Sequence, residues 1–209
     1  MRGAATVGAL AALVLVTAAG CRIATVRPLD EKGAPTAGAA PVSGPFDATA
    51  FVESIWRSEV LRSLDGARDV AAVASGAADL RASGTRPTTV VVVRGRGRVV
   101  SVDTRSRSGT ATIELDGTSS STVVVQIGPV ITGTAIRDAL PALGFDRFVN
   151  QIQHADVGNE LNARVEREVL QALDRAGLRG RRLSFAGMAS FEDGRPPTLT
   201  PVRLEVEEP

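Results

Sequence analysis

Cysteine, histidine, tyrosine and lysine are all but missing from this 209-residue chain, which has one Cys, one His and no Tyr, and in which Lys32 is the only lysine among 24 basic residues. A single thiol closes no disulfide within the chain. With His154 as the sole imidazole, the donor set for structural zinc is absent too. Six Phe and one Trp offer little aromatic platform on which sugars or bases could stack. A charge excess is also lacking. Arg2 is the only charged residue among residues 1–20, and without that segment 23 basic residues balance 23 acidic ones. A neutral chain has no broad basic face for nucleic acid, so no nucleic-acid partner is predicted. The preference for Arg over Lys follows from GC-rich coding, because Arg codons are GC-rich and Lys codons are not.

The one cysteine is placed informatively. Cys21 follows an uncharged Ala/Leu/Val run that ends in Ala18, Ala19 and Gly20, behind a short n-region of Met1 and Arg2. Such a small-small-Cys junction is where a bacterial lipoprotein signal is cut and the thiol takes diacylglycerol. Ala18 departs from the Leu usual at that position. A spanning helix needs about 20 apolar residues, and Gly3 to Gly20 falls short and is rich in Ala and Gly. An uncleaved anchor and plain secretion with a free thiol are the competing readings. All three place the body of the protein outside the cytoplasm, and the lipid reading makes the membrane a partner through Cys21.

Residues 1–20 are therefore read as the signal, and residues 21–45, with Pro28, Pro35, Pro41 and Pro45 and no apolar periodicity, as a flexible tether. Asp47 is a good N-cap, and Phe51, Ile55, Trp56, Val60, Leu61 and Leu64 fall near helical spacing, which predicts a helix over 48–64. A second helix is predicted over Ala67 to Ser75 and a short one over Ala77 to Ala82, with a break from Gly84 to Pro87. This gives a helical subdomain over 46–86.

From residue 87 onward the period changes from 3.6 to 2. Val90 to Val102 reads as a long strand with a bulge or bend at Gly95 and Gly97. Ser108 to Leu115 and Thr122 to Ile127 follow, joined by a tight turn at Asp116-Gly117. A short helix capped by Thr134 and stopped by Pro141 is predicted next. A long helix then starts at an Asp156 cap, with Val157, Leu161, Val165, Val169 and Leu173 at i, i+4 spacing, and ends at Gly177. Arg182 to Ala189 and Leu199 to Glu207 are two more strands. Three strands, a helix and two strands make the chain order of an OB-like five-stranded barrel with a long helix between strands three and four, with a roll or an open meander packed on that helix as the alternative. The fold class is α+β, a small helical subdomain plus a barrel domain over 87–209.

Several stretches resemble a known family. Phe51 to Trp56, Gly95 to Thr104, Val125 to Pro141, and Phe148 to Ile152 with Ala155 to Val157 are similar to the predicted periplasmic lipoproteins called domain of unknown function 2291. The likeness covers nearly all of the chain after the tether. It implies a helical subdomain joined to an OB-like barrel, a lipidated Cys, and genes beside sugar ABC-transporter operons. It implies no catalytic or ligand residues.

No motif predicts an enzyme, a cofactor or a metal. Gly95-Arg96-Gly97 lies within a strand and opens no helix, so it is no dinucleotide loop. Thr132-Gly133-Thr134 is read as a helix cap rather than an anion site. His154, near Asn150, Gln151 and Gln153, is read as part of a local polar network and not as a general base. In an OB-like barrel ligands lie between the first and last hairpin loops. Here those loops carry Arg105 and Arg107 on one side and Asp193 and Arg195 beside Phe191 on the other, a set that could hold a sugar or an acidic ligand if it converges. The resulting expectation is an extracytoplasmic binding or accessory lipoprotein, linked to ABC-transporter components. An envelope assembly factor with protein contacts only, and an unrecognised hydrolase, are the alternatives.

Overall fold

The computed structural model describes residues 46–76, 89–117, 121–192 and 194–207, and all of them fall within one compact unit. The leader, Cys21, the tether, the helix expected over Ala77 to Ala82, the break that follows it and Asp193 lie outside the described residues.

Asp47 starts the first helix as its sequence predicts, accepting from Thr49 N and Ala50 N at 2.9 and 3.1 Å. Helix α1 spans Ala48–Ile55 and continues as a π-helical turn over Trp56–Leu61. Its buried residues Val52, Trp56, Val60 and Leu64 are spaced by four. In a pure α-helix that spacing drifts by about 40° per step, and a wider π turn corrects the drift so that the stripe keeps one face. The same device recurs at the other long helix.

Between Ala67 and Ser75 the expected helix is shorter. Asp69 accepts from Ala71 N and Ala72 N and so acts as the cap of α2, Val70–Ser75. A cap residue is extended, which leaves Arg68–Asp69 free to form β1, a parallel bridge to Val93 and Arg94. The sheet therefore has six strands and not five.

Strand β2, Thr89–Asp103, carries the architecture. It pairs with β5, Arg182–Phe191, over Thr89 to Arg98 and with β3, Thr110–Leu115, over Gly97 to Asp103. Gly97 is thus paired on both sides. A Cβ there would stand 2.0 Å from the Glu114 carbonyl oxygen, so only glycine permits the approach. The expected bulge is elsewhere. The register of β2 slips between Val99 and Ser101, turning Val100 outward.

Strand β3 runs to a hairpin whose Gly117 has φ +79°, and Leu115 N donates to Ser121 O, which makes the loop longer than the two-residue turn expected. Strand β4, Thr122–Gln126, pairs antiparallel with β3 and parallel with β6, Thr198–Val206, which in turn pairs with β5. The pairing path β2–β3–β4–β6–β5 returns to β2.

Helix α3, Ala135–Ala139, is not capped by Thr134, whose hydroxyl donates instead to Asp138 Oδ2 at 2.6 Å. Helix α4, Gln151–Val165, begins well before Asp156 and is capped by Asn150, whose Oδ1 accepts from Gln153 N. Its first turn buries no apolar residue, so the apolar stripe that marks the helix in the sequence appears only at Val157. With β1 counted, α4 falls between β4 and β5 in the chain. It extends as a π turn over Glu166–Leu170, and Gly177 sits in the 3-10 turn Ala176–Leu178 rather than ending the helix.

Two apolar clusters share the sheet. One uses the face bearing Val93, Val99, Ile113, Val125, Leu183 and Leu199. The other packs Val52, Trp56, Val157 and Leu161 of the helices against Met188 and Val202 of β5 and β6. Arg164 of α4 lies 4.7 Å over the Trp56 ring and pairs with Glu168 at 2.8 Å, adding a cation–π contact to the helix–helix packing.

Candidate functional site

The site is built on the loop after β2. Gln126, a buried polar residue at the end of β4, donates to Thr200 Oγ1 at 2.9 Å and to Thr132 O at 3.1 Å, and accepts from Thr132 N at 2.8 Å. A fully partnered buried amide fixes the segment it spans, here Ile127 to Val130. That segment in turn holds the loop. Ile127 N and Gly128 N donate to Gly109 O, and Val130 N donates to Arg107 O at 3.1 Å. A Cβ on Gly128 would lie 2.3 Å from Arg107 O, so glycine is required for the contact.

Against this rigid loop stands Arg175, from the turn that follows α4. Its Nε donates to Ile127 O at 2.5 Å, which fixes the guanidinium in place. Thr104, Arg105, Ser106, Arg107, Gly128 and Arg175 border a cavity of about 250 Å³, and among the described residues no carboxylate lines it. Arg105 is held from behind by Asp103, with Nε to Oδ1 at 3.1 Å and Nη2 to Oδ2 at 2.8 Å. Among the described residues Arg107 and Arg175 have no carboxylate partner. The mouth therefore carries two positive charges without a carboxylate partner among the described residues, Arg175 on a fork oriented by Ile127 O and Arg107 on a loop whose backbone is held, an arrangement suited to carboxylate or phosphate oxygens.

The Arg105 hydrogen bonds hold the Asp103 carboxyl down at about 2, against the usual 3.8, while the same partner raises Arg105. A depressed carboxylate stabilises the fold above its ordinary value, and that contribution fades as pH falls from about 4 through about 2. The pair is exposed, so its effect on stability is small. The titration is nonetheless a direct readout. In carbon-detected NMR Asp103 is expected to titrate near 2 in the wild type and higher in Arg105→Ala, where the guanidinium bonds are lost while the backbone N–H of residue 105 still donates to Oδ1; an unchanged midpoint would show that the fork does not persist in solution.

The other half of the expected site does not join this one. Phe191 is 3% exposed and belongs to the core, paired with Thr89 at the opposite end of β2 from Asp103. It offers no aromatic edge, because β5 runs two residues further than its sequence suggested. Arg195 pairs with Glu192 at 3.1 Å on an exposed tip and lines none of the arginine mouth. Arg175, which completes that mouth, follows no sequence motif, and only the turn after α4 brings it to Ile127.

Elsewhere the chemistry is structural. His154 Nε2 meets Leu143 O at 3.2 Å, and its ring packs against Phe145 and Phe148 at 5.6 and 5.2 Å. Gly95-Arg96-Gly97 lies within β2, and Gly133, with φ +81°, turns its carbonyl to accept from Asn162 Nδ2. A larger groove of about 510 Å³ is bordered by Asp69, Arg94, Arg96, Asp116, Arg203 and Glu205. Its charges are mixed, with Asp69 committed to the α2 cap and Asp116 to Arg182. Among the described residues no group of three or more His, Cys, Asp or Glu could hold a metal ion.

A family model described as predicted periplasmic lipoprotein, domain of unknown function 2291, matches residues 11–205. Among solved structures, the crystal structure of an OB-fold protein from Thermotoga maritima MSB8 is similar over 78% of this chain and 100% of its own length, at 17% identity and a TM-score of 0.59. That likeness is one of fold, a mixed α+β chain with an OB-type sheet. No curated protein matches the chain in sequence.

Proposed function

Since the chain belongs to the predicted periplasmic lipoproteins of domain of unknown function 2291, we propose that it is a membrane-tethered binding module that recognises an acidic group through Arg107 and Arg175. Cys21 is the lipid-bearing residue in this reading. The returning pairing path is read as an OB-like barrel of five long strands, with α4 between the third and fourth of them. The module binds and does not catalyse. Its partner is a component of a sugar ABC transporter or a small acidic ligand delivered to one.

The observation that supports this is the cavity at the end of β2, where three arginines converge with no carboxylate in the lining among the described residues. Arg105 is neutralised by Asp103, but Arg107 and Arg175 have no carboxylate partner among the described residues; like charges so placed cost stability, and a site that recognises anions is a physical reason to keep them together. Calorimetric titration of the full chain with glucuronate and with a short polyglutamate peptide tests it. Each lost charge-assisted bond costs about 1.5–3 kcal/mol, so Arg107→Ala and Arg175→Ala are expected to weaken binding at least about tenfold. Arg195→Ala is expected to bind as the wild type does. Equal affinity in all three variants would remove the mouth from recognition.

A further inference from the structure

Four of the six phenylalanines gather in one cluster. Phe46, Phe51, Phe145 and Phe148 form, with His154, a cluster whose ring centroids lie 5.2 to 6.1 Å apart. Phe148 is buried at its base. Phe145 in the cluster and, just after Phe148 in the chain, Val149 and Ile152 are 50%, 59% and 70% exposed, and these three belong to the five large apolar residues that are exposed among the described residues. The segment is not frayed. Arg147 Nη1 donates to Ala142 O at 2.9 Å, Asn150 caps α4, and Val149 N donates to Gln153 Oε1. The fold thus holds three apolar side chains out of the core on a fixed frame, which marks an interaction face.

We propose that this face rests on the lipid surface to which the chain is anchored. The reason is where the tether joins the body. Phe46 is the first described residue after the segment that leads back to Cys21, and its ring packs on Phe148 at 6.1 Å, inside the same cluster. A random coil of 24 residues, the number between Cys21 and Phe46, has a root-mean-square span of about 25–30 Å. Leaving from the aromatic cluster, it keeps Phe145, Val149 and Ile152 nearest the bilayer at an effective concentration of about millimolar, so weak individual contacts suffice. Next to the aromatic residues in the chain, Asp47 and Asp146 outnumber Arg147, and Arg137, which reaches His154 O, is paired with Asp138. Attraction to anionic headgroups is therefore not the driving force, and contact is shallow, apolar and insensitive to salt. The inference rests on membrane anchoring and not on the arginine mouth, so the two fail separately.

Trp56 is the only tryptophan and is 3% exposed, so its own emission is shielded from a quencher in the lipid and the signal of a surface probe is read as the difference from the wild type. The full lipid-bearing chain is reconstituted in phosphatidylcholine vesicles, with and without brominated acyl chains, as wild type, Ile152→Trp and Arg195→Trp. The Ile152→Trp emission is expected to shift to the blue and to be quenched by the brominated lipid at low and high salt alike. Adding Phe145→Asp is expected to reverse most of that quenching, while the wild type and Arg195→Trp stay unquenched. Absence of quenching at Ile152→Trp beyond the Arg195→Trp level overturns the proposal. A blue shift that grows with protein density but ignores bromine also overturns it, because a second copy would then be the occupant.

Discussion

Replacing Gly97 by valine is expected to lower the unfolding free energy by about 4 kcal/mol or more, enough to unfold a domain of ordinary stability. The first atom of any side chain there would stand 2.0 Å from the Glu114 carbonyl oxygen and 2.8 Å from Ile113 Cγ2. Glu114 is backbone of β3, and Gly97 is also paired with Leu183 of β5, so neither neighbour can retreat without breaking a ladder. Gly117→Ala provides the contrast. Its φ of +79° strains a side chain, but nothing lies within 4 Å, so a loss of about 1 kcal/mol is expected. Urea denaturation of the two variants checks this, and equal midpoints would mean that β2 does not pass between β3 and β5 as described.

Changing Cys21 to serine is expected to have an all-or-none effect on attachment. The oxygen of serine does not replace the thiol in diacylglycerol transfer, so the chain either stays uncut at its leader or leaves the membrane. Two or more acyl chains anchor stably where one binds only marginally. Mass spectrometry of the wild type is expected to show an acylated N-terminus at Cys21. Recovery of wild-type protein still beginning at Met1 would instead support an uncleaved anchor.

What the sequence disclosed follows from which forces leave a local trace. The strands from Val90 to Ile127 and β5 are readable because a sheet with an apolar face imposes alternation, whereas β6 buries Leu199 to Val202 in succession and is legible as a short apolar run after turn residues. The start of α4 is not, since Gln151, Ile152, Ala155 and Asp156 are exposed and the inward residues there, Gln153 and His154, are polar and make no apolar stripe. The short β1 was missed because Arg68 and Asp69 pair with a strand far along the chain, while Asp69 reads locally as the beginning of a helix. At the site, Arg105 and Arg107 were visible as loop charges after a strand. Arg175 was not, because its role depends on a bond to Ile127 O that no spacing encodes. Phe191 was misplaced for the reverse reason: hairpin residues next to a turn look exposed, yet the inward alternation of Leu183, Phe185, Ala189 and Phe191 continues to the last residue of β5.

The central claim is that this lipoprotein meets its partner at the arginine mouth. The most direct measurement places a photoreactive residue at Ser106, inside that mouth, or at Arg195, on the opposite hairpin, and irradiates intact membranes. A defined crosslinked species is predicted from Ser106, lost when Arg107→Ala is added and absent from Arg195. The same products from both positions, or a Ser106 product indifferent to Arg107, would contradict the account.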